Sequence, residues 1–257
     1  MKPEQDAFGQ GVYDFYLGQT VVEIVERSDG DIGASGGLAA YFLPVTEWPD
    51  NQTAVLPLIR GRVLDIGCGP GRVALHLQEQ GYEVVSIDNS PLAIKTAELR
   101  GVKDARLVSI TQVSRKKLGI FDTIVMFGNN FGLLGNPQRA KWLLRRFYGM
   151  THANGRILAE SRDIYKTDDP ENLALHERQR QQGRLPGQFR LRVRYKAMIG
   201  PWFEYLMVSP QEMAEIVAGT GWHVKQIVWS KDRVDYYTAV LEKIVRKKSG
   251  TMPRDST

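Results

Sequence analysis

The sequence predicts an α/β fold: a doubly wound, mostly parallel seven-stranded sheet with a final antiparallel strand, plus a small β-rich insert. Three observations carry this expectation. From Arg62 onward, short apolar runs alternate with helical stretches at the spacing of strand–helix–strand units, which implies right-handed crossovers and a parallel sheet. The apolar runs are nearly continuous, as in strands covered on both faces. The first of them leads directly into the glycine loop Gly67-Cys68-Gly69-Pro70-Gly71, and open α/β sheets hold ligands at that strand–helix edge.

Residues 1–60 form an N-terminal segment with helical character over 13–25, broken at Ser28-Asp29-Gly30-Asp31 and at Ala34-Ser35-Gly36-Gly37. This segment is expected to be a helical lid, followed by the main domain over 61–244. Val63–Ile66 reads as a buried strand, and a helix over 73–80 stops at Gly81. Residues 83–88 form the second strand. Ser90-Pro91 opens the next helix, with serine as cap and proline in the first turn, where its missing N–H costs nothing. Strands follow at 106–109 and 121–127. Asn136-Pro137 repeats the cap before a helix over 138–150, and 156–160 is the fifth strand. An insert over 161–208 holds a polar helical segment, 170–182, and two strands, 189–198 and 202–208, expected to roof the pocket as a substrate cap. Ser209-Pro210-Gln211-Glu212 combines a capping box with proline and starts a helix. Strands 222–230 and 236–244 are joined only by Lys231-Asp232-Arg233-Val234-Asp235, too short for a crossover, so they pair antiparallel. The tail 245–257 is basic, then Ser/Thr/Pro-rich, and is expected to be disordered.

Composition narrows the class. The chain has 257 residues, 42% hydrophobic and 25% charged, with net charge +5, which permits a nucleic-acid partner without requiring one. No apolar run approaches the ~20 residues of a membrane span. The first residues, Met1 to Asp6, are too polar for a signal peptide, so a cytoplasmic protein is expected. One cysteine, Cys68, excludes an internal disulfide, and the four histidines show no metal-ligand spacing. No metal is expected.

The candidate site starts from the glycine loop. Asp88 closes the second strand, where a carboxylate can accept both ribose hydroxyls of an adenosine. A nicotinamide site needs its helix N-terminus clear for a pyrophosphate, yet Asp65 precedes the loop, and an acid there repels a pyrophosphate and suits an ammonium group. A phosphate loop is excluded, because no Gly-Lys-Ser/Thr follows.

Asp-x-Gly-x-Gly-x-Gly, with an acid closing the next strand, resembles the class I S-adenosylmethionine-dependent methyltransferase family over roughly residues 61–244. The resemblance implies a Rossmann-like fold, S-adenosylmethionine as cofactor and S-adenosylhomocysteine as product. It implies that Gly67, Gly69 and Gly71 line the methionyl and ribose portion and that Asp65 helps hold the amino group. Asp88 would take the ribose hydroxyls and Asn89 would flank the adenine. Cys68 sits among these contacts, its side chain a small apolar filler rather than a nucleophile. Phe127-Gly128-Asn129-Asn130-Phe131-Gly132 is similar to the Gly-Asn-Ser-Phe run of some small-molecule N-methyltransferases, so backbone at Gly128 and Asn129 would contact the methionyl group and border the substrate. Asn129 and Asn130 also read simply as turn residues. One departure is Ser109-Ile110-Thr111-Gln112, where many members carry an acid for the adenine amino group.

The implied activity is methyl transfer to a small-molecule N or O acceptor. Two alternatives stand beside it: an RNA or protein methyltransferase using the basic strand 190–196, and a non-catalytic adenosine-ligand-binding protein. Arg190, Arg192, Arg194 and Lys196 alternate with apolar residues and so share one strand face, either solvated or anion-binding. The apolar face is expected inward, because burying four unpartnered cations costs several kcal/mol each. Phe131, Trp202, Phe203 and Tyr205 either line a pocket or pack the insert. No residue is assigned as catalytic; Glu160 and Asp163 are placed to act as a base if the acceptor must lose a proton. His76 reads as a packing or surface residue rather than a catalyst. Oligomeric state is not legible.

Overall fold

The computed structural model describes residues 2–244; the tail expected to be disordered, with its basic run Arg246-Lys247-Lys248, lies outside the described residues. The strands in chain order are β1 (Ile24–Arg27), β2 (Ile32–Ala34), β3 (Val63–Ile66), β4 (Val84–Asp88), β5 (Ala105–Leu107), β6 (Phe121–Met126), β7 (Thr151–Arg162), β8 (Gln188–Tyr195), β9 (Met198–Ile199), β10 (Phe203–Leu206), β11 (Trp222–Trp229) and β12 (Tyr236–Lys243). Seven form the main sheet in the order β11-β12-β7-β6-β3-β4-β5, parallel from β7 to β5, with β12 antiparallel to both its neighbours.

Alternate residues of its central strands feed two cores, one on each face. Leu64, Ile66, Val85, Ile87, Ile124 and Met126 point into one, and Val63, Val84, Val125 and Phe127 into the other. The caps form as the sequence predicts. Ser90 accepts from the Ala93 amide, Asn136 from the Arg139 amide, and Ser209 and Glu212 complete a reciprocal capping box. Among the described residues no helix is long and apolar enough to cross a membrane.

The N-terminal segment departs from expectation. Its helix is Ala7–Tyr16, not 13–25. Val21 to Glu26 instead leads into β1, and Ser28 to Asp31 is the turn into β2 rather than a helix break. The β-branched run wins because β1 pairs with β8, with Val25 opposite Val193. The insert is therefore not a free hairpin. β8, β9 and β10 join β1 and β2 in a second, antiparallel sheet of order β10-β8-β1-β2, with β9 on β8. The strand expected over 189–198 also breaks, at Lys196, whose φ of 52° turns the chain between β8 and β9.

Asp6 fastens the N-terminal helix to the main domain. Fully buried, it caps that helix by accepting from the Gly9 amide at 3.0 Å, and its second oxygen accepts from the Ser90 hydroxyl and the Leu92 amide, both at 2.9 Å. Asp6→Ala orphans buried donors at both helices, and we expect a loss of roughly 2–4 kcal/mol of stability. Urea unfolding should show a lower midpoint with an unchanged slope; an unchanged midpoint would mean that the latch carries no stability.

Candidate active site

The loop after β3 turns sharply because Gly67 has φ +72° and Gly71 φ +84°. A Cβ on Gly67 would stand 2.6 Å from Nδ2 of Asn130, and one on Gly71 2.3 Å from Val102. Gly71 is thus a packing glycine at the start of the helix Arg72–Glu79. Its neighbours Gly69 and Arg72 line the cavity beside it. The other expected contacts, Asp65, Gly67, Cys68, Gly69, Asp88, Asn89, Gly128 and Asn129, line one cavity of about 830 Å³.

Asp65, the third residue of β3, is 2% exposed, and its Oδ2 has no hydrogen-bond partner. Burial pushes its carboxyl up to about 7, opposed by the charge of Arg72 and reinforced by that of Asp88. Asp88, at the end of β4, accepts from the Gly69 amide at 3.0 Å and from the Ser90 amide at 2.9 Å. Burial raises its carboxyl while these amides lower it. Each carboxylate oxygen keeps a further acceptor site for a ligand hydroxyl. The Cys68 thiol is pushed up by burial and by both neighbouring carboxylates, which leaves it a filler.

After β6, Asn129 adopts the left-handed conformation at φ 61°. Its Oδ1 is buried without a partner, and its backbone carbonyl accepts from the Tyr205 hydroxyl at 2.6 Å. Asn130 does more than turn the chain: its amide donates to the carbonyls of Ile66 and Gly67, both at 2.9 Å, tying this turn to the glycine loop.

Glu160 is fully buried in β7 and holds that turn from behind. One of its oxygens accepts from the Gly128 and Asn129 amides and from Gln52 at 2.7 Å, and the other accepts from Asn51 at 3.3 Å. With its acceptors engaged by protein donors, Glu160 positions the loop and is corrected from candidate base to scaffold. Asp163 does line the cavity and accepts from the Tyr165 amide at 3.1 Å. His76 packs edge-on against Trp48, centroids 5.3 Å apart.

The cap closes the cavity opposite the glycine loop. Phe189, Leu191 and Val193 line it, as do Phe203 and Tyr205, whereas Phe131 packs in the core and Trp202 stacks with Arg192. The alternate residues of β8 lie on the other face. There Arg192 pairs with Glu26 at 2.7 Å, Arg194 also pairs with Glu26, and Arg190 is exposed. Lys196, past the turn, pairs with Asp14 at 2.6 Å. The N-terminal segment, expected over the site as a lid, adds Phe8, Glu23 and Tyr41 to the wall; Glu23, which belongs to no motif, enters just ahead of β1 and its pairing with β8. Burial raises the Tyr41 hydroxyl, and the charges of Glu23 and Asp88 add to the effect.

A family profile described as "Methyltransferase domain" matches residues 63–155. The chain is 30% identical over 107 residues to a glycine/sarcosine N-methyltransferase of Halorhodospira halochloris, covering 40% of each chain. It is 34% identical over 80 residues to a ubiquinone biosynthesis O-methyltransferase of Xanthomonas oryzae pv. oryzae, covering 29% of this chain and 34% of that one. It thus spans less than half the length of these curated relatives. Among solved structures, an S-adenosylmethionine-dependent methyltransferase of Bacteroides fragilis in complex with S-adenosyl-L-homocysteine matches with a TM-score of 0.80 and 28% identity, covering 95% of this chain and 98% of that one. The sheet order, the glycine loop between Asp65 and Asp88 and these matches agree in their likeness: the chain is similar to the class I S-adenosylmethionine-dependent methyltransferases.

Proposed function

We propose that the protein transfers a methyl group from S-adenosylmethionine to a nitrogen or oxygen of a small molecule. The observation that carries this is the buried, unpartnered Oδ2 of Asp65 in the wall beside the glycine loop. A buried carboxylate oxygen without a donor is costly, and a ligand ammonium is the group that satisfies it. Asp88 would take the ribose hydroxyls, and the backbone of Gly128 and Asn129, held by Glu160, would border the methionyl end.

The sulfonium supplies an already activated methyl group, so the chain's residues align the acceptor and exclude water, and Asp163 in the cavity wall would take the proton where the acceptor must lose one. The apolar face of β8 excludes water, and the hydrogen bond from Tyr205 to the Asn129 carbonyl fixes the cap over the turn. A cavity of about 830 Å³ roofed by the apolar face of β8 supports a small acceptor. The macromolecular reading draws on the basic strand, and three of its four cations are held in ion pairs, Arg192 and Arg194 sharing Glu26 and Lys196 on Asp14. A screen of fractionated metabolites with methyl-labelled cofactor tests the proposal. Label transferred to a small metabolite is expected; tight cofactor binding with no transfer to any fraction would favour the non-catalytic binding protein.

Two measurements test the site. Asp88→Ala should weaken S-adenosylhomocysteine binding by roughly 10–100-fold in calorimetry, because charge-assisted hydrogen bonds to the ribose are lost. Unchanged affinity would remove Asp88 from the ribose.

The second measurement is pH dependence. An ammonium ligand binds the ionised form of Asp65, whose carboxyl stands at about 7. Affinity for S-adenosylhomocysteine should therefore rise with pH up to about 7 and level off above, falling by up to about tenfold per unit below it. Asp65→Asn should bind more weakly and flatten the profile; a parent profile that is already flat would place the ammonium elsewhere.

A further inference from the structure

The cations of the cavity wall are all engaged. Arg27 pairs with Asp29 at 2.8 Å and Asp31 at 3.2 Å, and Arg162 with Asp235 at 2.5 Å. Arg139 donates to the Leu134 carbonyl and Lys166 to that of Val234, both at 2.8 Å. Arg72 donates to Gln52 at 2.8 Å and lies over the Trp48 ring.

The acids do not balance in the same way. Asp31 and Asp235 are taken up by those arginines, Glu204 accepts from Asn136 at 2.5 Å, and Asp88 and Asp163 accept backbone amides. Two carboxylates in the wall remain without a cation or amide: Asp65, which suits the cofactor's ammonium, and Glu23. Among the described residues no Lys or Arg forms an ion pair with Glu23, although it is only 6% exposed. Burial raises its carboxyl above the ordinary range, with the Ser35 hydroxyl opposing.

Its placement is specific. Glu23 precedes β1 and lines the cavity together with Val25, while Glu26 faces the other way and binds Arg192 and Arg194. β1 is held in this position by β8, whose Leu191 and Val193 surround the carboxylate's side of the cavity with apolar surface. Tyr41, Glu23 and Asp88 line the same cavity. The chain therefore places in this wall a buried carboxylate that no cation or amide among the described residues engages, beside the apolar face of β8.

We propose that Glu23 is the counter-ion of the methyl acceptor, and that the acceptor is a small molecule carrying a protonated amine. This rests on the methyltransferase reading, which puts the cofactor on the glycine-loop side and leaves the cap side to the acceptor. An isolated carboxylate in a low-dielectric cavity is stabilised by a cation that enters with its own apolar body, and it repels carboxylate ligands.

The test uses the full chain saturated with S-adenosylhomocysteine and titrated with benzylamine, benzyl alcohol and benzoate. Benzylamine should bind about tenfold or more tightly than the other two. Glu23→Gln should remove that preference while keeping the parent's affinity for S-adenosylhomocysteine, which also shows that the variant is folded. Equal benzylamine binding by Glu23→Gln, a preference for benzoate, or no binding of benzylamine by the parent would overturn the proposal. So would a variant that loses affinity for S-adenosylmethionine but not for S-adenosylhomocysteine, since the carboxylate would then face the sulfonium. A parent that binds benzylamine through Glu23 but ignores both sulfur ligands would instead overturn the methyltransferase reading and leave the amine site standing.

Discussion

The site depends on the buried carboxylate of Glu160. A carboxylate at zero exposure survives only if its lone pairs are filled, and here the donors come from two places in the chain: Asn51 and Gln52 before the sheet, and the Gly128 and Asn129 amides after β6. Gln52 passes the connection on, since its Oε1 accepts from Arg72 on the helix that follows the glycine loop. Asn129 passes it to the cap through Tyr205. One anion thus fixes the relative positions of the glycine-loop helix, the turn after β6 and the roof over the cavity. Losing any donor would leave a buried charge partly unsolvated, so the network holds as a unit.

The main sheet was legible because each of its signals is local. Val63–Ile66 is apolar apart from Asp65, Ser90-Pro91, Asn136-Pro137 and Ser209-Pro210 mark helix starts by chemistry that acts within a few residues, and the short link before β12 forces an antiparallel pair. Asp65 and Asp88 were legible for the same reason, being fixed in sequence relative to the glycine loop. What escaped is non-local. Glu160 looks like any acid at a strand end until Gln52 and the Gly128 amide are brought to it. Val21 to Glu26 reads equally as helix or strand, and pairing with β8, far along the chain, decides it. Gly71 fits the motif, and the space a Cβ would take there is filled by Val102 and Ala97, a packing demand the motif does not show.

The cap shows how that pairing sorts charge. β8 alternates cations with apolar residues, and β1 supplies Glu26 on the cationic side and Val25 on the apolar side, so each face of the second sheet is matched across the strands. The arginines of β8 become structural, holding two distant segments in register. That removes the basic strand from the cavity and makes the cap impossible to complete from the insert alone. Residues 24–34 and 188–206 must both be in place before the cavity has a roof.

Asp65 imposes the opposite balance, costing stability to serve binding. A carboxyl whose folded pKa is raised binds its proton more tightly in the folded chain than in the unfolded one. Its favourable contribution is present at pH below the ordinary carboxylate range and is lost as pH rises through about 7. At neutral pH the protein without ligand therefore carries a partly ionised, poorly solvated group. Arg72 offsets part of this, although burial lowers its own pKa and Gln52 and Trp48 hold it in place. A ligand ammonium reverses the sign, because it stabilises the ionised form that folding alone disfavours. The same unpartnered oxygen that weakens the empty fold is thus suited, on the proposed reading, to a cationic group at the glycine loop and opposed to a pyrophosphate.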